Sequence, residues 1–403
     1  MMNSSNKNIL VLSHVYPGAG VPDTFTPVVH YFVKEWIKMG YNVKVVSIWN
    51  YFPWFYYLAP NWFRRLVVKK FGCALPEKQL SKDIAYQLEG VKVFRYTLKK
   101  WFPASSYSVS KLDMLSCKII KTLQKEHFLP NFIISHWSCP QIYISNILKK
   151  EYGAKAALVL HENGLRIKEF DNWKELVNGI DVWGYRSLSI KNDFENYFGP
   201  HNRSFRCCSG IPKSYINDTL KRNWHLRNRY VYVGYLLKRK FADVAINAVA
   251  DSYGKSSYQF DVIGNGEMFE DLDNLINKRN LCGNVHLRGR LKREEILNYL
   301  DASDVFIMIS KDEVFGLVYL EAMARGCITI ASKNEGMEGI IIDGYNGFLC
   351  EAGNHAELCK IIKIINDLPI EKINEISQNA ISTARQYTDE AVAAQYIYNV
   401  ENL

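Results

Sequence analysis

Two glutamates eight residues apart, Glu313 and Glu321, bracket the run Val314-Phe315-Gly316-Leu317-Val318-Tyr319-Leu320. The first lies in a loop after an apolar strand, the second in the second turn of the helix that the loop feeds. Gly316 and Leu317 stand at the helix start, where backbone N–H groups have no intrahelical acceptor and offer an anion site. A phosphate held there would have a carboxylate on each side, one to accept hydroxyl bonds from a sugar and the other from a ribose. The spacing alone also fits a loop charge and a solvated helix residue, so the context decides.

Other residues with chemical potential follow strands. Gly234-Tyr235-Leu236-Leu237-Lys238-Arg239-Lys240-Phe241 is a basic turn after one strand, and Gly264-Asn265-Gly266 is a turn after the next. Gly18-Ala19-Gly20 follows the first strand of the chain. As dinucleotide fingerprints both glycine pairs fail, since Phe269 and Asp23 occupy the third glycine position. His136 and His161 end successive strands; a lone histidine is more often structural, but two at neighbouring strand ends face the same side of a parallel sheet. Asp271-Leu272-Asp273 lies mid-helix and reads as a solvated face, so no metal site is expected.

These residues need elements to hold them. Strand and helix patterns alternate almost throughout, the signature of parallel sheets covered on both faces. Strands are expected at Ile9–Ser13, Asn42–Ile48, Val91–Arg95, Phe132–Ser135 and Ala156–Leu160. Helices are expected at Phe25–Lys38, Ser110–Glu126 and Pro140–Lys150. A second series starts near Tyr230 and runs through the strands Tyr258–Ile263, Val305–Ile309 and Ile328–Ala331. The division is an N-terminal domain 1–208 with an insert 51–90, a second domain 209–385, and a C-terminal helix in 386–403 returning to the first. Both are doubly wound α/β domains, and a ligand cleft between them is expected, because such sheets bind at the carboxyl ends of their strands. The 403 residues are 48% hydrophobic and 23% charged, which excludes a disordered chain.

The order Asp301-Ala302-Ser303-Asp304, Glu313…Glu321, Ala324-Arg325-Gly326, Asn334-Glu335-Gly336 and Asp343-Gly344-Tyr345-Asn346-Gly347 resembles the donor domain of retaining glycosyltransferases of family 4. The resemblance covers most of residues 230–350 and weakly the N-terminal half. It implies the GT-B fold: two Rossmann-like domains with an interdomain cleft. It implies that Glu313 holds the donor sugar and Glu321 the ribose, with Phe315, Gly316 and Leu317 at the diphosphate. Lys240 matches the family's phosphate lysine, with Arg239 beside it, while Tyr235 stands where an arginine is usual and Phe241 where a glycine is. By the same resemblance Gly18, Gly20, Gly264 and Gly266 approach the donor, His161 faces the transferring sugar, and His136 is an acceptor-side candidate. The implied reaction uses a nucleotide sugar, no metal and no cofactor.

Tyr51 to Phe63 contains eight aromatics in thirteen residues, and Arg64, Arg65, Lys69 and Lys70 follow. From Tyr51 to Lys111 eleven Lys/Arg face three Asp/Glu, close to the whole net charge of +9. Trp and Tyr favour the headgroup level of a bilayer and basic residues favour anionic lipids. Pro53 and Pro60 exclude one smooth helix, and no apolar run spans a membrane. A packed insert with a basic rim is the other reading; aromatics with Lys/Arg also suit nucleic acid, which is not expected here. The nine cysteines lack metal spacing and the N-terminus lacks an apolar signal core, so a cytoplasmic protein, peripheral on the inner face of the membrane, is expected. Its acceptor would be a glycan or lipid-linked sugar in bacterial surface polysaccharide assembly. The alternatives are a nucleotide-sugar epimerase on the same fold and a catalytically decayed carbohydrate- or membrane-binding module.

Overall fold

The computed structural model describes residues 7–21, 27–60, 63, 79–102, 105–217, 224–254 and 256–402. They form two compact units: the chain to Tyr185 with Ile190–Cys207 and the chain from Ala393 on, and Arg186–Ser189 with Cys208–Val392.

Unit 1 contains β1 (Asn8–Ser13), α1 (Val28–Lys38), β2 (Asn42–Tyr51), β3 (Ile84–Leu88), β4 (Val91–Lys99), α2 (Val109–Lys125), β5 (Phe132–His136), α3 (Gln141–Tyr152), β6 (Lys155–Leu160), α4 (Trp173–Asn178), β7 (Val182–Tyr185), α5 (Leu188–Phe198) and β8 (Ser204–Arg206). The first two residues of α5 fall in unit 2. The strand order is β3-β4-β2-β1-β5-β6-β7-β8. The order reverses between β1 and β5, so the loops after Ser13 and His136 flank the switch point where doubly wound sheets bind ligands. Ile9, Leu10, Val11 and Leu12 of β1 are all fully buried, because a central parallel strand is covered on both faces.

The insert is not irregular up to Gly90, as its composition suggests. Ile84–Leu88 forms β3, which pairs antiparallel with β4 from Ile84 opposite Arg95 to Leu88 opposite Val91. A hairpin through Glu89-Gly90, both with positive φ, makes that reversal. The aromatic run divides. A 3-10 turn, Trp54–Leu58, buries Tyr56 against Phe52 and leaves Trp54, Phe55 and Leu58 exposed. Trp62, Arg64, Arg65, Lys69 and Lys70 lie outside the described residues.

Unit 2 contains β9 (Arg229–Val233), α6 (Ala242–Tyr253), β10 (Gln259–Ile263), α7 (Phe269–Lys278), β11 (Val285–Gly289), α8 (Arg293–Ala302), β12 (Val305–Ile307), α9 (Leu317–Ala324), β13 (Ile328–Ser332), β14 (Phe348–Cys350), α10 (His355–Asp367), α11 (Ile370–Arg385) and the start of α12 (Asp389–Asn402). Its sheet is parallel, in the order β11-β10-β9-β12-β13-β14. The switch point therefore lies between β9 and β12, whose loops run Gly234–Phe241 and Met308–Gly316. α9 is enclosed, with Tyr319 to Ala324 all buried, which fixes the loop before it against the sheet. From Ala393 on, α12 packs in unit 1: Trp36 Nε1 donates to Ala393 O at 3.0 Å, and Tyr396 meets the rings of Phe32 and Trp36 edge-on at 5.1 Å.

Candidate active site

The two switch-point loops of unit 2 are fastened to each other. Arg239 Nη1 donates to Lys311 O (2.9 Å) and Asp312 O (3.1 Å), and Lys311 N donates back to Arg239 O (2.8 Å). Beside this fastening Lys240 Nζ donates to the Glu313 carboxylate in an ion pair. Lys240 is buried although it belongs to an exposed basic turn, because the chain turns inward at Phe241 to enter α6.

Glu313 is held from several sides. Ser310 Oγ reaches its carboxylate at 3.4 Å, and its own backbone N donates to Glu335 Oε2 at 2.7 Å. Glu335 Oε1 takes the amide of Asp312 at 3.0 Å. Burial raises the Glu335 carboxyl above its ordinary range, opposed by those two amides. Tyr319 OH donates to Met308 O (2.7 Å) and lies 3.2 Å from Ser310 Oγ, tying the first turn of α9 to the end of the loop.

Gly316 precedes α9 with φ +77, and a Cβ there would stand 2.4 Å from the Tyr319 ring, so both backbone and space require glycine. Leu317 opens the helix, and Phe315 is buried beneath the Arg186 guanidinium, 5.1 Å from the ring centroid. One turn on, Glu321 is buried and paired: Arg293 Nε and Nη2 both reach its Oε1, at 2.8 and 2.5 Å. The head of α9 thus carries backbone donors with Glu313 on the loop before it and Glu321 one turn behind.

Gly264 and Gly266 have a packing reason of their own. A Cβ at Gly264 would stand 1.8 Å from Gly234 O, and one at Gly266 2.4 Å from Leu236 O, so the turns after β9 and β10 pack backbone to backbone. Phe241, where a glycine is expected, keeps glycine's conformation at φ 51. Its ring rests on Gly353, where a Cβ would come within 2.8 Å of it. Tyr235 is exposed, and Asp271 and Asp273 lie on the outer face of α7 with Leu272 inward.

In unit 1 the two histidines meet. His136 Nδ1 lies 3.0 Å from His161 Nε2, and the Tyr396 hydroxyl lies 3.3 Å from His136 Nε2. His136 is fully buried, whereas His161 stacks on Trp137 at 4.2 Å and is half-buried. Glu162 joins the loops after β5 and β6, accepting from Ser138 N and Oγ and from Gly164 N. Gly18 and Gly20 have φ +92 and +83, in a loop clasped by Tyr86 OH to Pro17 O (2.7 Å) and Arg95 Nη1 to Ala19 O (2.8 Å).

The structure thus gathers Lys240, Arg239, Glu313, Phe315, Gly316, Leu317 and Glu321 at one switch point, and pairs His136 with His161 at the other sheet. Sequence reading gave no role of their own to Glu335, Ser310 and Tyr319 and did not single out Arg293. Arg293 meets Glu321 across 28 positions, a tertiary pairing that no local pattern announces. Among the described residues no cluster of three or more His, Cys, Asp or Glu could hold a metal ion.

Residues 221–383 match the sequence family described as Glycosyl transferases group 1. An uncharacterised glycosyltransferase of Methanocaldococcus jannaschii is 28% identical over 250 residues, 60% of this chain and 67% of its own length. N-acetyl-alpha-D-glucosaminyl L-malate synthase of Bacillus anthracis is 26% identical over 308 residues, 70% of this chain and 77% of its own. The crystal structure of Anabaena HepE in complex with UDP matches with a TM-score of 0.67 at 18% identity, over 98% of this chain and 100% of that one. That last likeness shows the GT-B fold.

Proposed function

From the match of residues 221–383 to the group 1 glycosyl transferases, we propose that the chain moves a sugar from a nucleotide-sugar donor to a lipid-linked glycan, with retention of anomeric configuration. The observation that carries the donor side is the gathering of Lys240, Glu313 and Glu321 around the head of α9. The donor diphosphate takes Lys240 and the amides of Gly316 and Leu317, the sugar takes Glu313, and the ribose takes Glu321. Negative charge grows on the diphosphate as the glycosidic bond breaks, and donors fixed in advance stabilise it where it develops. Lys240 and the helix amides supply that neutralisation without a metal. Arg239 keeps the two loops in register instead of clamping phosphate, because its guanidinium already serves two carbonyls.

His161, rigid against Trp137 and His136, is the unit 1 group offered to the transferring sugar, and His136 orients it. The acceptor belongs to surface polysaccharide assembly and sits on the inner face of the membrane, which the protein meets as a peripheral protein through its aromatic and basic residues. Exposed Trp54, Phe55 and Leu58 support that contact, and among the described residues no helix is long and apolar enough to cross a membrane.

The test is a thermal-shift screen of nucleotide sugars, followed by transfer of the radiolabelled sugar from the best binder to a bacterial lipid extract. Label in the organic phase, dependent on Glu313, is the expected result. Conversion of the donor to another nucleotide sugar without acceptor would mark an epimerase. Absence of both turnover and nucleotide-sugar binding would sink the reading.

A further inference from the structure

The loop that leaves β1 at the switch point of unit 1 carries a tight turn. Ala19 (φ +50) and Gly20 (φ +83) are its central residues, and Val21 N donates to Gly18 O at 3.2 Å to close it. Two left-handed residues in succession are the mark of a type I′ turn, a conformation that an alanine rarely adopts. Such backbone persists where neighbours over-determine it. Two side chains of the sheet do so here. Tyr86 of β3 donates its hydroxyl to Pro17 O at 2.7 Å, and its ring closes on Gly18, where a Cβ would come within 2.9 Å. Arg95 of β4 donates Nη1 to Ala19 O at 2.8 Å.

In a trans peptide the carbonyl and the following N–H point in opposite directions. With the Pro17 and Ala19 carbonyls drawn towards the sheet, the N–H groups of Gly18 and Gly20 point away from it. Among the described residues neither amide has an acceptor, and Ala19 and Gly20 are exposed. Arg95 itself is only 4% exposed. Among the described residues its guanidinium makes the one hydrogen bond to Ala19, and its Nε is enclosed with no acceptor. Burial pulls its pKa down, and the group opposing that shift is Tyr86, not a carboxylate. Buried charges are normally paired, because an isolated one is costly to desolvate. An anion on the two outward amides supplies a counter-charge across the thickness of one peptide, and turn amides of this kind form anion-binding concavities. A phosphate group brings up to two charges and an oxygen for each amide.

We propose that Arg95 and Tyr86 are positioning residues of a phosphate site on the Gly18–Gly20 turn: they aim the amides of Gly18 and Gly20 at the phosphate, and Arg95 sets a positive charge behind them. That the phosphate belongs to a nucleotide-sugar donor rests on the glycosyl transfer proposed above; the hold on the turn and its anion chemistry do not.

The probe is inorganic pyrophosphate, titrated into the full chain and followed by NMR of the glycine amides. Isotope labelling of proline carbonyls and glycine amides isolates the Gly18 signal, because Pro-Gly occurs once in the chain. Ala-Gly occurs twice, at Gly20 and Gly353, so the same method reaches Gly20. Both signals are expected to move together and to saturate with one Kd. Arg95→Met should raise that Kd about tenfold, and Arg95→Lys, which keeps the charge without the planar fork, about threefold. Signals that stay still, shifts that never saturate, or a Kd unchanged by Arg95→Met overturn the proposal. Should Arg95→Met lose its circular dichroism, Tyr86→Phe, which removes one hydroxyl, must still raise the Kd about threefold; an unchanged Kd overturns the proposal equally. Malonate should bind about tenfold more weakly than pyrophosphate; equal binding overturns the phosphate assignment in favour of any anion. Transfer of labelled sugar to a lipid extract, measured on the same preparations, separates the two claims. Saturating amide signals in a protein that transfers no sugar would reject the glycosyl transfer and spare the turn. Transfer with a donor KM indifferent to Arg95→Met would reject the part of the turn in it.

Discussion

Lys240 and Glu313 neutralise each other at the switch point of unit 2, with side chains only 10% and 13% exposed. On the donor site proposed above, each is occupied by the group that a donor would displace: diphosphate would replace Glu313 at Lys240, and sugar hydroxyls would replace Lys240 at Glu313. Removing one partner of such a pair leaves the other charge poorly solvated, at a cost of several kcal/mol. Glu313→Gln should therefore lower the melting temperature of the free protein. It should also enlarge the shift produced by a nucleoside diphosphate, because the anion now meets an uncompensated lysine. Turnover should fall by about 100-fold or more, since the lost interaction strengthens in the transition state. A smaller diphosphate shift in Glu313→Gln than in wild type would show that the pair and the phosphate site are unrelated.

Glu321 should behave differently. It is buried, paired with Arg293, and one helical turn behind Leu317 at the head of α9. Contact with a ribose is the same in the ground and transition states, so its loss is uniform. Glu321→Gln is expected to raise the donor KM by about tenfold while kcat changes by less than threefold. Initial-rate kinetics over the donor concentration decide it, and a fall confined to kcat rejects the ribose role.

Metal removal provides a third check. With Lys240 and the α9 amides as the neutralising groups, turnover should persist in EDTA. Activity lost in EDTA and restored by Mg²⁺ or Mn²⁺ would show that another cation is needed at the diphosphate.

A fourth concerns the departure at Phe241, which occupies φ 51 with its ring on Gly353, itself at φ +71. Gly353→Ala adds backbone strain and a clash with that ring, each costing about 1–2 kcal/mol. Phe241→Gly relieves the backbone and loses the ring packing, so its net effect should be small. In the double variant the clash is gone and only the strain at position 353 remains. Denaturant melts should give a double-variant cost below the sum of the singles by about 1 kcal/mol. Strict additivity would mean that the ring and Gly353 do not press on each other in solution.

The central parallel strands were readable because they are covered on both faces. Ile9–Leu12 and Ala156–Leu160 appear in the sequence as unbroken apolar runs and lie fully inside. β3 was missed because an edge strand with half-buried alternation, Ile84-Ala85-Tyr86-Gln87-Leu88, resembles the polar loop around it. α4 and β7 between residues 173 and 185 were missed because their runs are too short to show a period. At the candidate site, Glu313, Gly316 and Glu321 were visible because they are neighbours in the sequence as well as around the head of α9. Glu335 on the Glu313 amide and Arg293 on Glu321 were not, since both are contacts between distant segments. The φ of Phe241 could be suspected from the missing glycine, but the accommodating Gly353 is 112 positions away.

The last prediction uses His14, which follows β1 at the switch point of unit 1. Its Nδ1 lies 3.0 Å from Ile48 O, which fits a neutral ring donating that proton. Burial lowers its pKa from 6.5 to about 4; the Ile48 carbonyl opposes the shift, and the positive charges of Lys100 and Arg166 add to it. Below both values the ring is protonated folded and unfolded alike. Between them the unfolded chain binds a proton that the folded chain refuses, so stability rises with pH across that window. The contribution is fully present above pH 6.5 and is lost as pH falls towards 4. His14→Asn, which keeps a donor for Ile48, should melt with a shallower dependence on pH than wild type, and the gap between the two should narrow on acidification. Lys100→Gln removes one of the depressing charges, so the His14 pKa should move back towards its ordinary value, as carbon-detected NMR of the ring can show. A gap that stays constant across this range, or a His14 signal that titrates at its ordinary value in the folded protein, would mean that the ring is solvated and that Lys100 does not face it.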